Sequence, residues 1–297
     1  MSGFMSSSTA ITICKADSAA GLTLDALRTH AFTPDIDADG RRLGWVALGD
    51  PLDTDGFELA AVDGRYSGFS FRLDTRKASG AVIRLQLAEA VREERISGKK
   101  VGSQRKKELK EAITAKLTAR AEFVPSIIDC IWDAEKGRLL VGSASAKAVQ
   151  PVLDLFKATF GIDAAPIAPA SDMPKLFAAI LRGEGYPCEG YTLHPMGSAS
   201  LAASEQAEEK SAVAVQNSLN AVAQALEEGM AIQKLHLVAT SDADPDRQLE
   251  FTLDAGLAVS GLKLPKAEKG AEEDATFLVN ADACAAVADM VEGVGVR

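Results

Sequence analysis

The chain has 297 residues, 47% hydrophobic and 25% charged, and its 32 Lys and Arg against 42 Asp and Glu leave a net charge of −10. That balance is ordinary for a folded soluble protein of two modest domains or one elaborate one, and an aromatic share of only 5% predicts a core built mainly of Ala, Val, Leu and Ile. No apolar run approaches the ~20 residues of a bilayer span, and Met1–Ser8 has no basic segment leading into an apolar one, so neither a membrane helix nor a secretory leader is expected.

In chain order, Thr23–His30 reads as a short helix and Gly44-Trp45-Val46 opens a short apolar piece. Phe57–Val62 and Phe69–Leu73 are strand-like and predict a hairpin through Asp63-Gly64. Over residues 80–98 the period lengthens: Val82, Ile83, Leu85, Leu87, Ala88 and Val91 fit a helix, and Gly98 and Gly102 bracket a break. Ser103 is the expected N-cap of a second helix, with Glu108 in its early turns. In that helix Leu109, Ile113 and Leu117 form an apolar stripe, Lys107, Lys110 and Thr114 fall on an adjacent face, and Lys106 sits at its edge.

Pro125 is expected to stop this helix. Ser126–Asp133 and Arg138–Val141 then pair around a Glu135-Lys136-Gly137 turn. Ala144–Phe160 reads as an amphipathic helix ended by Gly161. Ile162–Pro174 predicts a short strand plus connector and a candidate domain boundary, and Pro174–Arg182 a helix before a Gly-rich bend at 183–185. Residues 198–228, rich in Ala, Glu and Gln, suit a solvated helix or helix pair, or a partly ordered insert. Strands are expected at Ala231–Ala239, Gln248–Leu253 and Leu257–Leu264, with a turn at Ser241–Asp246. An acidic loop around Lys266–Asp274 leads to a strand, Thr276–Val279, and a final helix, Asp282–Val291. The class is α+β with mostly antiparallel hairpins and clustered helices.

Signals for catalysis are missing. Cys14, Cys130, Cys188 and Cys284 form no Cys-x-x-Cys pair and have no histidine at ligand spacing, so reduced, mostly buried thiols are expected. His30, His194 and His236 are isolated. No phosphate-binding Gly-x-x-x-x-Gly-Lys loop, nucleophile elbow or His-Glu-x-x-His occurs. Neither an enzyme nor a cofactor or metal is expected.

The anomaly is residues 92–120, where ten Lys and Arg stand against four Asp and Glu inside an acidic chain. One reading is a solvated helix with internal pairs such as Lys107–Glu111, each worth a few tenths of a kcal/mol. The other is an anion-binding surface, because four acids cannot neutralise ten bases. The block has no interleaved aromatics for base stacking and no helix-turn-helix or zinc-finger pattern for base readout. Such a surface would therefore meet duplex backbone with little sequence preference and strong salt dependence.

The run Gly98-Lys-Lys-Val-Gly-Ser-Gln-Arg-Lys-Lys-Glu-Leu-Lys-Glu-Ala-Ile-Thr-Ala-Lys-Leu-Thr-Ala-Arg-Ala121 resembles the central segment of the recombination-associated RdgC family. The similarity continues through Ile131-Trp132-Asp133, Gly137, Ala144-Ser145-Ala146-Lys147 and Phe160-Gly161, and includes Ala31-Phe32-Thr33-Pro34, Gly44-Trp45-Val46, Ala275–Val279 and Met290-Val-Glu-Gly-Val-Gly295. The resemblance implies a non-enzymatic, cytoplasmic, nucleoid-associated protein. It implies a horseshoe monomer that pairs into a ring-shaped homodimer, encircles double-stranded DNA and restrains RecA-dependent strand exchange.

On that scheme residues 1–77 and 119–171 are two parts of a central region, 78–118 a helical tip, 172–268 a base, and 269–297 the C-terminal strand and helix of the central region. Lys99, Lys100, Arg105, Lys106, Lys107 and Lys110 are the expected phosphate contacts, with Arg76, Lys77, Lys116 and Arg120 secondary. Two departures stand out. Glu122 follows Arg120-Ala121 where the family carries an aromatic dimer contact, so Phe123, one place later, is the candidate beside Glu122. The family's Lys-Gln pair before the late helix has no clear counterpart, leaving Gln216 in Val215-Gln216-Asn217, with Lys210 the nearest base. The alternative is an acidic protein-interaction module that binds a recombination protein without touching DNA.

Overall fold

The computed structural model describes residues 3–18, 22–57, 64–184, 187–188, 190–203, 212–265 and 272–295. The strand expected at Phe57–Val62 and its Asp63 turn lie outside them beyond Phe57, as do Lys210 and most of the acidic loop at 266–274.

In chain order the strands are β1 (Ser8–Ala16), β2 (Arg42–Val46), β3 (Tyr66–Arg76), β4 (Phe123–Asp133), β5 (Arg138–Val141), β6 (Ala164–Pro166), β7 (Pro187–Cys188), β8 (Tyr191–Ala203), β9 (Ala212–Val215), β10 (Met230–Ser241), β11 (Gln248–Asp254) and β12 (Val259–Lys263). The helices are α1 (Leu24–Thr29), α2 (Gly80–Ile96), α3 (Ser103–Arg120), α4 (Ala146–Phe160), α5 (Met173–Leu181), α6 (Leu219–Glu227) and α7 (Glu273–Gly295). The class is α+β. The sheet order is β2-β3-β4-β5-β1-β12-β11-β10-β8-β7, with β6 beside β1 and β9 beside β8. The pairs with a resolved register, β1–β5, β4–β5, β8–β10, β10–β11 and β11–β12 among them, are antiparallel.

The chain divides into two compact units, one of residues 1–31, 45–71 and 128–297 and a smaller one of 32–44 and 72–127. Ile162–Pro174, the candidate boundary, lies inside the larger unit.

The larger unit folds because its strands alternate. In β11, Leu249, Phe251 and Leu253 are buried while Gln248, Glu250 and Thr252 face away; β10 buries Leu235, Leu237 and Ala239 in the same manner. Helix α7 covers part of this core. Its Phe277, Ala281, Cys284, Ala288 and Val291 are buried at steps of four and three residues, which is a helical period. That spacing overturns the strand expected at Thr276–Val279: Phe277 belongs to the same apolar stripe as the rest of the helix. Residues 198–228 also differ from the helical expectation. Among the described residues of this stretch, Ser198–Ala203 ends β8, β9 follows, and only Leu219–Glu227 is helical. Ala199 and Leu201 point into the core from β8, so small residues alternate there as a strand does.

Pro125 does not end α3. The helix stops at Arg120, where Ala121 turns extended (ψ 149°), and Pro125 is the third residue of β4. Ser103 is the first helical residue rather than the cap. Gly102 occupies the cap and contributes no side-chain acceptor. All four cysteines are buried and outside disulfides, and burial pushes the Cys14 thiol up to about 12.

A buried ion network joins α7 to the β4–β5 hairpin. The Arg138 guanidinium, 1% exposed, meets Asp133, 0% exposed, at 3.0 Å. It also meets Asp289 at 2.7 Å and Glu292 at 3.3 Å, and donates to the Ala285 carbonyl at 3.2 Å. Burial works against the charge, and Asp289, Asp133 and Glu292 together outweigh it and hold the guanidinium above its usual range.

Asp129, partly buried, accepts from the Phe4 amide and the Ser70 hydroxyl, each at 2.8 Å. Burial raises its pKa, and those two hydrogen bonds pull it partly back. The folded state therefore holds the proton more tightly than the unfolded chain. Stability is greatest where Asp129 is protonated in both states and declines as pH rises through the folded pKa. Asp129→Asn keeps an acceptor for Phe4 and lets Ser70 accept from the new amide. Its stability relative to wild type is expected to improve as pH is raised from about 4 to about 7, measured by urea unfolding across that range. A difference that stays flat with pH would remove Asp129 as the source.

Candidate nucleic-acid interface

The smaller unit holds sixteen Lys and Arg against ten Asp and Glu, whereas the rest of the chain has sixteen against thirty-two. The charge anomaly of the sequence is thus a property of one structural unit. That unit is built on α2 and α3, which pack against each other with no fully buried residue in either. Ile83, Leu87 and Val91 of α2 and Leu109, Ile113 and Leu117 of α3 are half-buried, as their helical spacing requires. The thin packing is supplemented by an ion clasp: the Arg105 guanidinium donates to Glu94 of α2 at 2.7 Å and to Glu108 at 3.0 Å. Hydrogen bonding to Glu94 and then Glu108 pushes the Arg105 pKa upward.

The other predicted phosphate contacts are placed differently from Arg105. Lys99, Lys100, Lys106, Lys107, Lys110, Lys116, Arg120 and Lys77 are exposed, and Arg76 is half-buried. None of these nine has a carboxylate oxygen within 4.0 Å among the described residues. The Lys107–Glu111 pair of the solvated-helix reading is therefore not made. At about 100° per residue, Lys106, Lys107 and Lys110 fall within one ~100° arc of α3.

Lys99 and Lys100 lie in the connection from α2, immediately before the N-terminus of that helix. The first turn of α3 has no acidic residue and no side-chain cap. Five lysines and Arg105 are thus gathered at the positive pole of a helix dipole, which repels them. Of these six, only Arg105 is neutralised by direct pairing. An anion at this pole would relieve the repulsion of the rest.

The start of β4 contains a second basic feature. Phe123 is half-buried, with the Arg42 guanidinium 3.9 Å and the Arg76 guanidinium 4.6 Å from its ring centre. Arg76 also donates to the Ala119 carbonyl at the end of α3, at 3.0 Å. Glu122 is exposed beside them, and Gln216, in the larger unit, is exposed after β9. Arg42 was not legible as part of this arrangement because it lies among Asp35, Asp37 and Asp39. Arg41 takes up two of those acids, pairing with Asp37 at 3.1 Å and Asp39 at 2.6 Å, and leaves Arg42 free of them.

A shallow concavity at the start of α6, lined by Met196, Gly197, Asn217, Ser218 and Leu219 among others, has no titratable side chain. His236 is engaged with Glu250 at 3.1 Å, which in turn holds Lys263 at 2.7 Å. Among the described residues, no three His, Cys, Asp or Glu side chains are grouped to hold a metal ion, and no helix is long and apolar enough to cross a membrane.

The sequence matches the family described as "Putative exonuclease, RdgC" over residues 14–290. The chain belongs to the RdgC family. No curated protein matches it. The RdgC match takes in both structural units almost entirely, so the basic unit is part of the family's own architecture and not an appended tail. Membership makes this a protein of recombination-related, DNA-associated type.

Proposed function

We propose that this RdgC protein binds double-stranded DNA through the phosphate backbone, without reading sequence. The observation that supports this most is the pole of α3: Lys99, Lys100, Lys106, Lys107 and Lys110 crowd a helix N-terminus that has no acid and no cap of its own. Lysines act as point charges toward phosphate, and nothing in the cluster offers an edge for base recognition. Lys116, Arg120, Arg76 and Lys77 extend the positive surface of the same unit.

In this reading the protein works as a homodimer whose two horseshoes close into a ring around the duplex, 78–118 being the tip and 172–268 the base. Phe123 with Glu122 forms one contact and Gln216 belongs to the other. Nucleoid association follows from backbone binding, and a ring on duplex DNA restrains RecA-dependent strand exchange by occupying the substrate. The test is the particle mass in solution with and without circular duplex DNA. A dimer retained on circles and lost from linear ends supports encirclement. A monomer, or equal loss from both forms, contradicts it.

The family's printed description favours a second reading, an exonuclease. Incubation of end-labelled linear duplex with Mg²⁺ or Mn²⁺ separates the two: the backbone-binding reading expects intact strands, and stepwise shortening from an end would establish the nuclease.

A further inference from the structure

We propose that Arg42 and Arg76, held over the Phe123 ring, form a second phosphate-binding site in the smaller unit, one that takes a phosphodiester of the DNA backbone. The inference rests on the duplex-binding reading and adds to it a residue, Arg42, and a mode of contact that the lysines do not provide.

Two like charges brought to one aromatic ring repel each other. The ring's quadrupole attracts each guanidinium by ~0.5–2 kcal/mol, which orients the groups without neutralising them. Of the unit's other arginines, Arg41 is neutralised by Asp37 and Asp39, Arg72 by Asp74 at 2.9 Å and Arg105 by Glu94 and Glu108, whereas Arg84, Arg92, Arg95 and Arg120, unpaired among the described residues, are exposed to water. Arg42 and Arg76 have no carboxylate within ion-pair distance among the described residues. Their Nε atoms are buried and without a hydrogen-bond partner, so each group already bears a desolvation cost that the unit does not offset. One terminal nitrogen of Arg76 is used on the Ala119 carbonyl. Among the described residues, the remaining terminal N–H groups of both have no hydrogen-bond acceptor. A guanidinium presents its N–H groups as a fork, the geometry that suits a tetrahedral phosphate through two parallel hydrogen bonds.

The choice of phosphodiester over carboxylate follows from position. Arg76 is hydrogen-bonded to the last turn of α3, whose first turns carry the unpaired lysines, so the two sites lie at opposite ends of that helix. The two would therefore engage a single polyanion at separated points.

The experiment is fluorescence anisotropy with a labelled 24-base-pair duplex across a salt series, on the full chain. Each phosphate contact contributes ~0.9 to the log–log salt slope. R42Q/R76Q is expected to lower the slope by about 1–2 and affinity by about 10-fold or more near 0.1 M salt. A wild-type slope overturns the site, whether the pair then serves an acidic protein segment or only packing. If R42Q/R76Q loses its fold by circular dichroism, R42K/R76K decides, because it keeps both charges and the aliphatic stems but lacks the fork. A several-fold weakening at unchanged slope supports the site, and wild-type affinity overturns it. Wild-type protein that binds no duplex overturns both this site and the lysine surface. A slope that falls in lysine variants but not in R42Q/R76Q overturns this site alone.

Discussion

Replacing Lys99, Lys100, Lys106, Lys107 and Lys110 together by glutamate is expected to abolish duplex binding at about 50 mM salt. Five contacts correspond to a slope near 4.5, so wild-type affinity should itself fall about 500-fold between 50 and 200 mM. The variant reverses every one of those charges. Its folding should survive, because the five side chains are exposed and unpaired and surface substitutions of this kind usually stay within ~0.5 kcal/mol each. Glutamate at 106 and 107 would in fact suit the positive pole of α3. Arg105→Glu makes the contrast. It breaks the clasp to Glu94 and Glu108 and places a third acid beside them. It should loosen the helix pair, seen as faster amide exchange in α2 and α3, while costing less duplex affinity than any two of the lysine reversals. If the five-fold variant keeps wild-type affinity, the phosphate surface is not on α3.

The largest effect on stability is expected from Arg138→Ala. It leaves Asp133, 0% exposed, with only the more distant Arg65 guanidinium at 3.7 Å, and removes the link that α7 makes through Asp289, Glu292 and the Ala285 carbonyl. Removing one partner of a buried pair typically costs ~3–5 kcal/mol, since the remaining charge is left desolvated. Urea unfolding should show a lower midpoint at unchanged slope. Arg138→Lys should recover only part of the loss, because one ammonium cannot serve Asp133, Asp289, Glu292 and a carbonyl at once. A loss below about 1 kcal/mol for Arg138→Ala would show that α7 is held by its apolar stripe alone.

Much of the fold was legible where one period dominated. The runs at Gln248–Leu253 and Ala231–Ala239 alternate apolar with polar residues and became β11 and β10. The stripe Leu109, Ile113, Leu117 became the half-buried face of α3. Failures came where two patterns competed. Thr276–Val279 has strand propensity, but the burial of Phe277 with Ala281 and Cys284 imposed a helix. In 198–203, the alanines favour helix by themselves, and pairing with β10 imposed the strand. Pro125 was misread because proline breaks helices, whereas Ala121 had already turned extended before it.

The candidate surface was legible as charge: ten bases against four acids cannot be hidden by any fold. Which bases are free was not legible. Arg105 is spent on Glu94, eleven residues away, and no local pattern predicts that contact. Arg42 and Arg76 meet at Phe123 from strands far apart in sequence.

The most direct test of duplex-backbone binding is the affinity of wild-type protein for two unrelated duplexes of equal length, measured from about 50 to 300 mM salt. Equal affinities with a shared log–log slope of about −4 or steeper are expected from five or more phosphate contacts. Affinity for only one sequence, a slope near zero, or no binding at the lowest salt would contradict it.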